Sequence, residues 1–375
     1  MIVRRSLDET AKGLGRDGEA YRKLVAPTVE AWPRLAAELL GPVLHLPRHP
    51  VALTRFNATG VRSATAVTGS RFETDRARAL FLGASAHSIV PLTRAGTAAF
   101  GLLLLALAHV TGWPFPRSGS QAIADALADR LRSLGGEIET GHEVRSLREL
   151  PPSGVVLCDV TPRALLTLAG DLLPQRYRRR LQRWRYGPGV FKVDYALDGP
   201  IPWQAPEVGL AGTVHLGGQP SELVEAERAP WEGRHADKPF VLLAHPSRFD
   251  DTRAPAGKHT AWAYCHVPHG STVDVRETIE RQIERFAPGF RDRILACRAL
   301  NTAELEQENA NLVGGDISSG ANVLSQLIAR PRYKTPLPWL YLCSAATAPG
   351  GGVHGMCGHL AARAALRRAD PPSEG

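Results

Sequence analysis

The segment that most restricts the fold is Trp339-Leu-Tyr-Leu-Cys-Ser-Ala-Ala-Thr-Ala-Pro-Gly350-Gly351-Gly352-Val-His354-Gly355-Met-Cys-Gly358-His-Leu-Ala-Ala-Arg-Ala-Ala-Leu. An apolar run, as expected of a buried strand, enters a turn of small residues, then three consecutive glycines, then a helix starting near Gly355. Glycines let another molecule approach the backbone closely. Small residues at Gly355, Gly358, Ala361, Ala362 and Ala365 suit a helix packed tightly on its neighbour. The open N–H groups and positive end of such a helix make an anion site. A glycine loop that merely caps the helix is the plainer alternative. Three glycines between Pro349 and His354, directly after a buried strand, argue instead for a bound ligand.

Upstream, Ile123, Leu127, Leu131 and Leu134 form one apolar stripe of a helix that Gly135-Gly136 ends. Glu137-Ile-Glu-Thr-Gly-His-Glu-Val alternates like a strand, and Gly154-Val-Val-Leu-Cys-Asp reads as a strand covered on both faces. This order predicts an α/β layer. From Val190 the pattern turns β-rich: Phe191-Lys-Val-Asp-Tyr-Ala-Leu, Pro239-Phe-Val-Leu-Leu-Ala-His and Thr260-Ala-Trp-Ala-Tyr-Cys-His-Val. A helix with Val275, Ile279, Ile283 and Phe286 on one face follows, so an antiparallel sheet with a helix is expected between two pieces of the α/β layer. The first 45 residues read as helices: a capping box at Ser6 and Glu9, a stop at Gly13, a helix from Gly18 to Val25, and another from Val29 to Leu40 beyond Pro27.

Several functions are disfavoured. Gly13-Leu-Gly15-Arg-Asp-Gly18 spells GxGxxG, but a capped helix precedes it, whereas a nucleotide loop must follow a buried strand. The cluster Arg176, Arg178, Arg179, Arg180, Arg183 and Arg185 interleaves with Leu173, Tyr177, Leu181 and Trp184 at helical spacing, which reads as the solvated face of a surface helix rather than a nucleic-acid site. The net charge of +8 rests on 39 Arg and 6 Lys, a bias of coding composition. Five scattered cysteines have no metal-ligand or CxxC spacing, so no metal is expected and reduced thiols in a cytoplasm are the simplest account. Ala95 to Phe115 carries a single Lys-, Arg-, Asp- and Glu-free stretch, but its strongly apolar part is only Phe100 to Val110. A buried helix is therefore expected, with peripheral membrane contact through a lipid-soluble substrate left open.

Taken in order, Arg117-Ser-Gly-Ser-Gln-Ala-Ile, Gly135-Gly-Glu-Ile, Ala256-Gly-Lys-His-Thr-Ala-Trp-Ala-Tyr-Cys-His-Val-Pro, Asn311-Leu-Val-Gly-Gly-Asp-Ile and Pro349-Gly-Gly-Gly-Val-His-Gly-Met resemble phytoene-desaturase-like FAD-dependent oxidoreductases, in particular the pyridine nucleotide-disulfide oxidoreductase domain-containing branch. The resemblance implies an α/β plus α+β chain. Residues 112–186 and 306–370 would form an incomplete, glutathione-reductase-like Rossmann FAD-binding domain, and 1–111 with 187–305 an inserted antiparallel-sheet-and-helix substrate domain, with 371–375 a disordered tail. It further implies FAD lined by Pro349, Gly350, Gly351, Gly352, Val353, His354, Gly355 and Met356, with Gly314, Gly315 and Asp316 approaching the same site and Ser120 and Gln121 at a helix start near the ring. His354 is the candidate acid–base or positioning group. The implied reaction passes hydride from an apolar or amine-like small molecule to flavin N5, with an electron acceptor left unassigned.

Two departures bear on affinity: Ser344-Ala345 stand where many relatives have Gly-Asp, and Ser118 replaces a frequent glycine. The family's strand–GxGxxG–helix unit is expected to be missing, so an inactive, truncated or split form is the alternative.

Overall fold

The computed structural model describes residues 1–369; the tail expected at 371–375 lies outside them. Six helices come first: α1 (Leu7–Gly13), α2 (Gly18–Leu39), α3 (Pro50–Gly60), α4 (Ala64–Arg71), α5 (Asp75–Ser85) and α6 (Thr97–Val110). Ser6 Oγ accepts the Glu9 N–H at 3.2 Å, as the cap predicts. The break expected at Pro27 does not occur, because α2 runs unbroken through Pro27 and Pro33. A proline inside a helix removes one N–H and crowds the preceding turn. Burial of Tyr21, Leu24, Val25 and Leu35 in the helical core outweighs that local cost.

The apolar stretch forms α6, packed against α2, α3 and α5, with Ala98, Leu102, Leu105 and Ala106 buried. Among the described residues no helix is long and apolar enough to cross a membrane. The GxGxxG letters serve a helix crossing, as the cap ahead of them predicts. Gly13 closes α1 and Gly18 opens α2, where a Cβ would sit 2.3 Å from the Ala11 carbonyl oxygen.

Next come α7 (Gln121–Ser133), β1 (Val156–Cys158), α8 (Pro162–Ala169) and α9 (Gln175–Gln182). The helix with the apolar stripe is present, but it buries none of its residues, and Leu127 is 68% exposed. Residues 137–144 form no strand, contrary to their alternation. Alternation alone makes no strand; a ladder partner is required. The expectation that 154–158 is covered on both faces also fails, since Leu157 is 41% exposed. α9 lies at the surface with its arginines outward and Leu181 buried.

The antiparallel unit follows: β2 (Gly189–Leu197), β3 (Thr213–Leu216), α10 (Pro220–Arg228), β4 (Val241–Ala244), β5 (His259–Val267), α11 (Arg276–Glu284) and β6 (Ile294–Leu300). The strands lie in the order β3-β4-β5-β2-β6. Alternation divides its two faces. Val193, Tyr195, Ala263 and Cys265 pack with Ile279 and Ile283 of α11. The opposite face turns Leu242, Trp262 and Tyr264 toward the helical core.

The chain then returns through α12 (Thr302–Glu308), α13 (Leu324–Ile328), β7 (Leu340–Leu342) and α14 (Met356–Ala369). β7 pairs in parallel with β1, Val156 opposite Leu340 and Cys158 opposite Leu342. Leu165, Leu173 and Leu181 cover one side of this pair.

Candidate functional site

The glycine segment leaves β7 and enters α14, as its pattern predicts. Gly350, Gly352 and Gly355 have φ of 118°, 150° and 65°, backbone that side chains rarely adopt. Gly351, Gly352 and Val353 are exposed, and Val353 is 94% so. Cys357, Ala361 and Ala365 bury one face of α14.

A second glycine loop lies directly against the first. A Cβ on Gly351 would stand 3.6 Å from the Ser318 Cα, so the segment after Asp316 touches the triple glycine. Gly314 and Gly315 also have positive φ, 59° and 81°. They are glycines because the backbone there is pressed against His269 and Thr302 respectively. Asp316 is 1% exposed and holds this loop: Oδ2 accepts the Gly187 and Gly320 N–H groups at 2.8 and 2.9 Å, and Oδ1 accepts that of Ser318 at 2.7 Å. Burial pushes its carboxyl above the usual range, opposed by these three hydrogen bonds. Asp316 thus acts on the backbone of the loop.

His354 serves the start of α14. Its Nδ1 accepts the Met356 N–H at 3.0 Å, which leaves the ring proton on Nε2 when the ring is neutral. Burial lowers its pKa below the ordinary histidine value. Ser120 and Gln121 keep different company. Gln121 donates to Asp125, while the preceding turn is tied to the sheet unit: Ser118 N–H to Asp250 at 2.7 Å and Arg253 to the Ser118 carbonyl at 2.7 Å. The structure therefore places Ile317 and Ser318, next after Asp316, against Gly351, and ties Ser118, two residues before Ser120, to the 250–253 segment.

Arg330 and Asn322 were invisible to sequence reasoning, since neither belongs to a motif or periodic pattern. Arg330 is 6% exposed beneath the triple glycine: Nη1 donates to the Ala345 carbonyl at 2.6 Å, and Nη2 to Asn322 Oδ1 at 3.1 Å. Asn322 in turn donates to the Ser88 carbonyl at 3.2 Å, linking the helical unit to this loop. Two concave features lie apart from these glycines. A groove of about 870 Å³ is lined by Arg176, Arg179, Arg180, Arg183, Tyr177 and Trp184. A cavity of about 590 Å³ lies between the helices and β3, lined by Leu80, Leu105, Trp113 and His215. Among the described residues no three His, Cys, Asp or Glu side chains are grouped to hold a metal ion.

The segment after Asp316 packs on the triple glycine, and Gly351 to Val353 open to solvent just before α14.

No family model matches the chain. It is 28% identical over 352 residues to pyridine nucleotide-disulfide oxidoreductase domain-containing protein 2 of Mus musculus, covering 80% of this chain and 60% of that protein. It is 26% identical over 340 residues to the lycopene-forming phytoene desaturase of Pantoea ananas, covering 82% of this chain and 66% of the relative. The chain thus spans between half and two thirds of the length of these curated relatives. Among solved structures, an oxidoreductase from Methanosarcina mazei superposes with a TM-score of 0.56 at 16% identity, over 84% of this chain and 70% of the other. A putrescine oxidase double mutant does so with a TM-score of 0.56 at 15% identity, over 93% and 75%. By sequence the chain is a relative of pyridine nucleotide-disulfide oxidoreductase domain-containing protein 2 and the phytoene desaturases, and it shares its fold with putrescine oxidase.

Proposed function

We propose that this chain is the body of an FAD-dependent oxidoreductase that oxidises an apolar or amine-like small molecule. The observation that carries the reading is the packing of Ile317 and Ser318, next after Asp316, against Gly351 in the loop that leads into α14. Bound there, FAD would supply the hydride acceptor. Gly350 to Gly352 would let the ring lie on the backbone, the start of α14 would favour negative charge, and Asp316 would keep the second loop in shape. His354 would position the entry to α14. The substrate class is supported by the sheet face carrying Trp262 and Tyr264, stacked at 6.2 Å, since such rings suit apolar groups and cations alike.

The test is titration of the full chain with FAD, followed by quenching of flavin fluorescence and then by anaerobic bleaching with candidate amines and polyenes. Saturable binding is expected. A flavin spectrum unchanged by excess protein would sink the reading.

A second reading is favoured by the bare apolar stripe of α7 and the open side of β1: activity requires additional polypeptide laid over that surface. In that case FAD binds only once such polypeptide is supplied.

A further inference from the structure

Arg330 is a buried cation. Among the described residues it takes part in no ion pair within 4.0 Å, and its Nε–H has no hydrogen-bond partner. Its guanidinium touches only neutral acceptors: the carbonyls of Ala345 and Thr347, at 2.6 and 3.4 Å, and the amide of Asn322 at 3.1 Å. Taking a guanidinium out of water costs several kcal/mol unless an opposite charge and further hydrogen bonds offset it. Two carbonyls could be served by a neutral donor, and the buried carboxylate of Asp316 acts on the guanidinium only through space, beyond ion-pair distance, with three backbone N–H groups of its own.

The position of Arg330 supplies a reason for the charge. The guanidinium is pressed against the triple glycine, where a Cβ on Gly350 would lie 2.9 Å from Nη2 and 3.0 Å from Cζ. The buried positive charge therefore sits against Gly350, which the exposed Gly351 and Gly352 follow directly in the chain. In so dry a setting a charge acts over that distance far more strongly than at the surface. We propose that Arg330 is the charge partner of the ligand seated on this loop, and that it stabilises the negative charge a bound flavin gains on reduction. This rests on the flavin reading of the preceding section. Asn322 holds the guanidinium in place from the side of the helical unit.

The experiment measures dissociation constants of oxidised and reduced FAD for the full chain, for Arg330→Lys and for Arg330→Gln, with thermal melts alongside. Arg330→Gln should weaken binding of reduced relative to oxidised FAD about tenfold, equivalent to a midpoint about 30 mV lower for a two-electron couple. Arg330→Lys should recover most of that ratio although it too loses the forked contact and melts earlier. Should Arg330→Gln fail to fold, Asn322→Asp places a carboxylate against Nη2 with the shape preserved, and the same fall in ratio is expected. Equal weakening in both redox states, which would mark a loop prop or a phosphate contact, overturns the proposal. So does a ratio shared by the Lys and Gln variants. If the unaltered chain binds FAD and all ratios coincide, only the assignment to Arg330 falls; if it binds neither form, the flavin reading falls with it.

Discussion

His266 donates its Nδ1–H to both carboxylate oxygens of Glu227, at 2.8 and 3.0 Å, and the two side chains are 2% and 1% exposed. The pair ties α10 to β5 behind the stacked ring of Phe240. Removing one partner strands the other in the core, so Glu227→Ala should lower the unfolding free energy by about 3–5 kcal/mol. Glu227→Gln keeps an acceptor oxygen and should cost only about 1–2 kcal/mol. Urea denaturation of the three proteins checks the order.

Acid should unfold the protein earlier than its carboxylates alone require. Burial holds His215 and His245 near pKa 4, and His87, whose Nε2 lies 2.9 Å from that of His215, is also lowered. The unfolded chain takes up these protons near the ordinary histidine value, the folded chain only at lower pH. Stability is therefore complete above about pH 6.5 and falls as the pH drops from there toward 4. His215 and His245 should each account for on the order of 1–2 kcal/mol between pH 7 and 5. Denaturant midpoints at the two values measure the loss, and His215→Gln should reduce it; an unchanged slope would refute the assignment.

Polar substitution on α7 and at its C-cap Leu134 should be harmless to the fold. Leu127→Lys and Leu134→Lys alter side chains 68% and 67% exposed and should change stability by less than about 0.5 kcal/mol. Leu165→Ala, at a wholly buried position, should cost about 2–5 kcal/mol. Light scattering is expected to show less self-association for the lysine variants.

His354 should prove replaceable by another cap. His354→Ala removes the acceptor for the Met356 N–H and should cost about 0.5–2 kcal/mol, whereas Asn at the same place retains it. Substrate-dependent flavin bleaching that survives in His354→Asn and is lost in neither variant would mark the residue as structural; loss in both would make it an acid–base group.

Local regularity accounts for what could be read in advance. The triple glycine, the α11 stripe and the alternating β2 and β5 each announce themselves within a dozen residues. β3 and β6 did not, because one has four residues and the other sits at the sheet edge with the pattern of a half-solvated strand. Residues 137–144 misled for the opposite reason, alternating without a neighbour to pair with. Pro27 misled because burial of α2 is a tertiary effect that a local rule does not contain. The Arg330–Asn322 link and the Glu227–His266 pair join distant segments, and no local pattern encodes them.

The pairing of Val156 with Leu340 has a kinetic consequence. All five antiparallel strands lie on the chain between these two residues, so the parallel pair cannot form cheaply until that intervening length has contracted. Condensation of the 189–300 sheet shortens that span, so the parallel ladder is expected to close after it. The triple-glycine loop leaves the end of β7, so its shape is expected to depend on that ladder being closed.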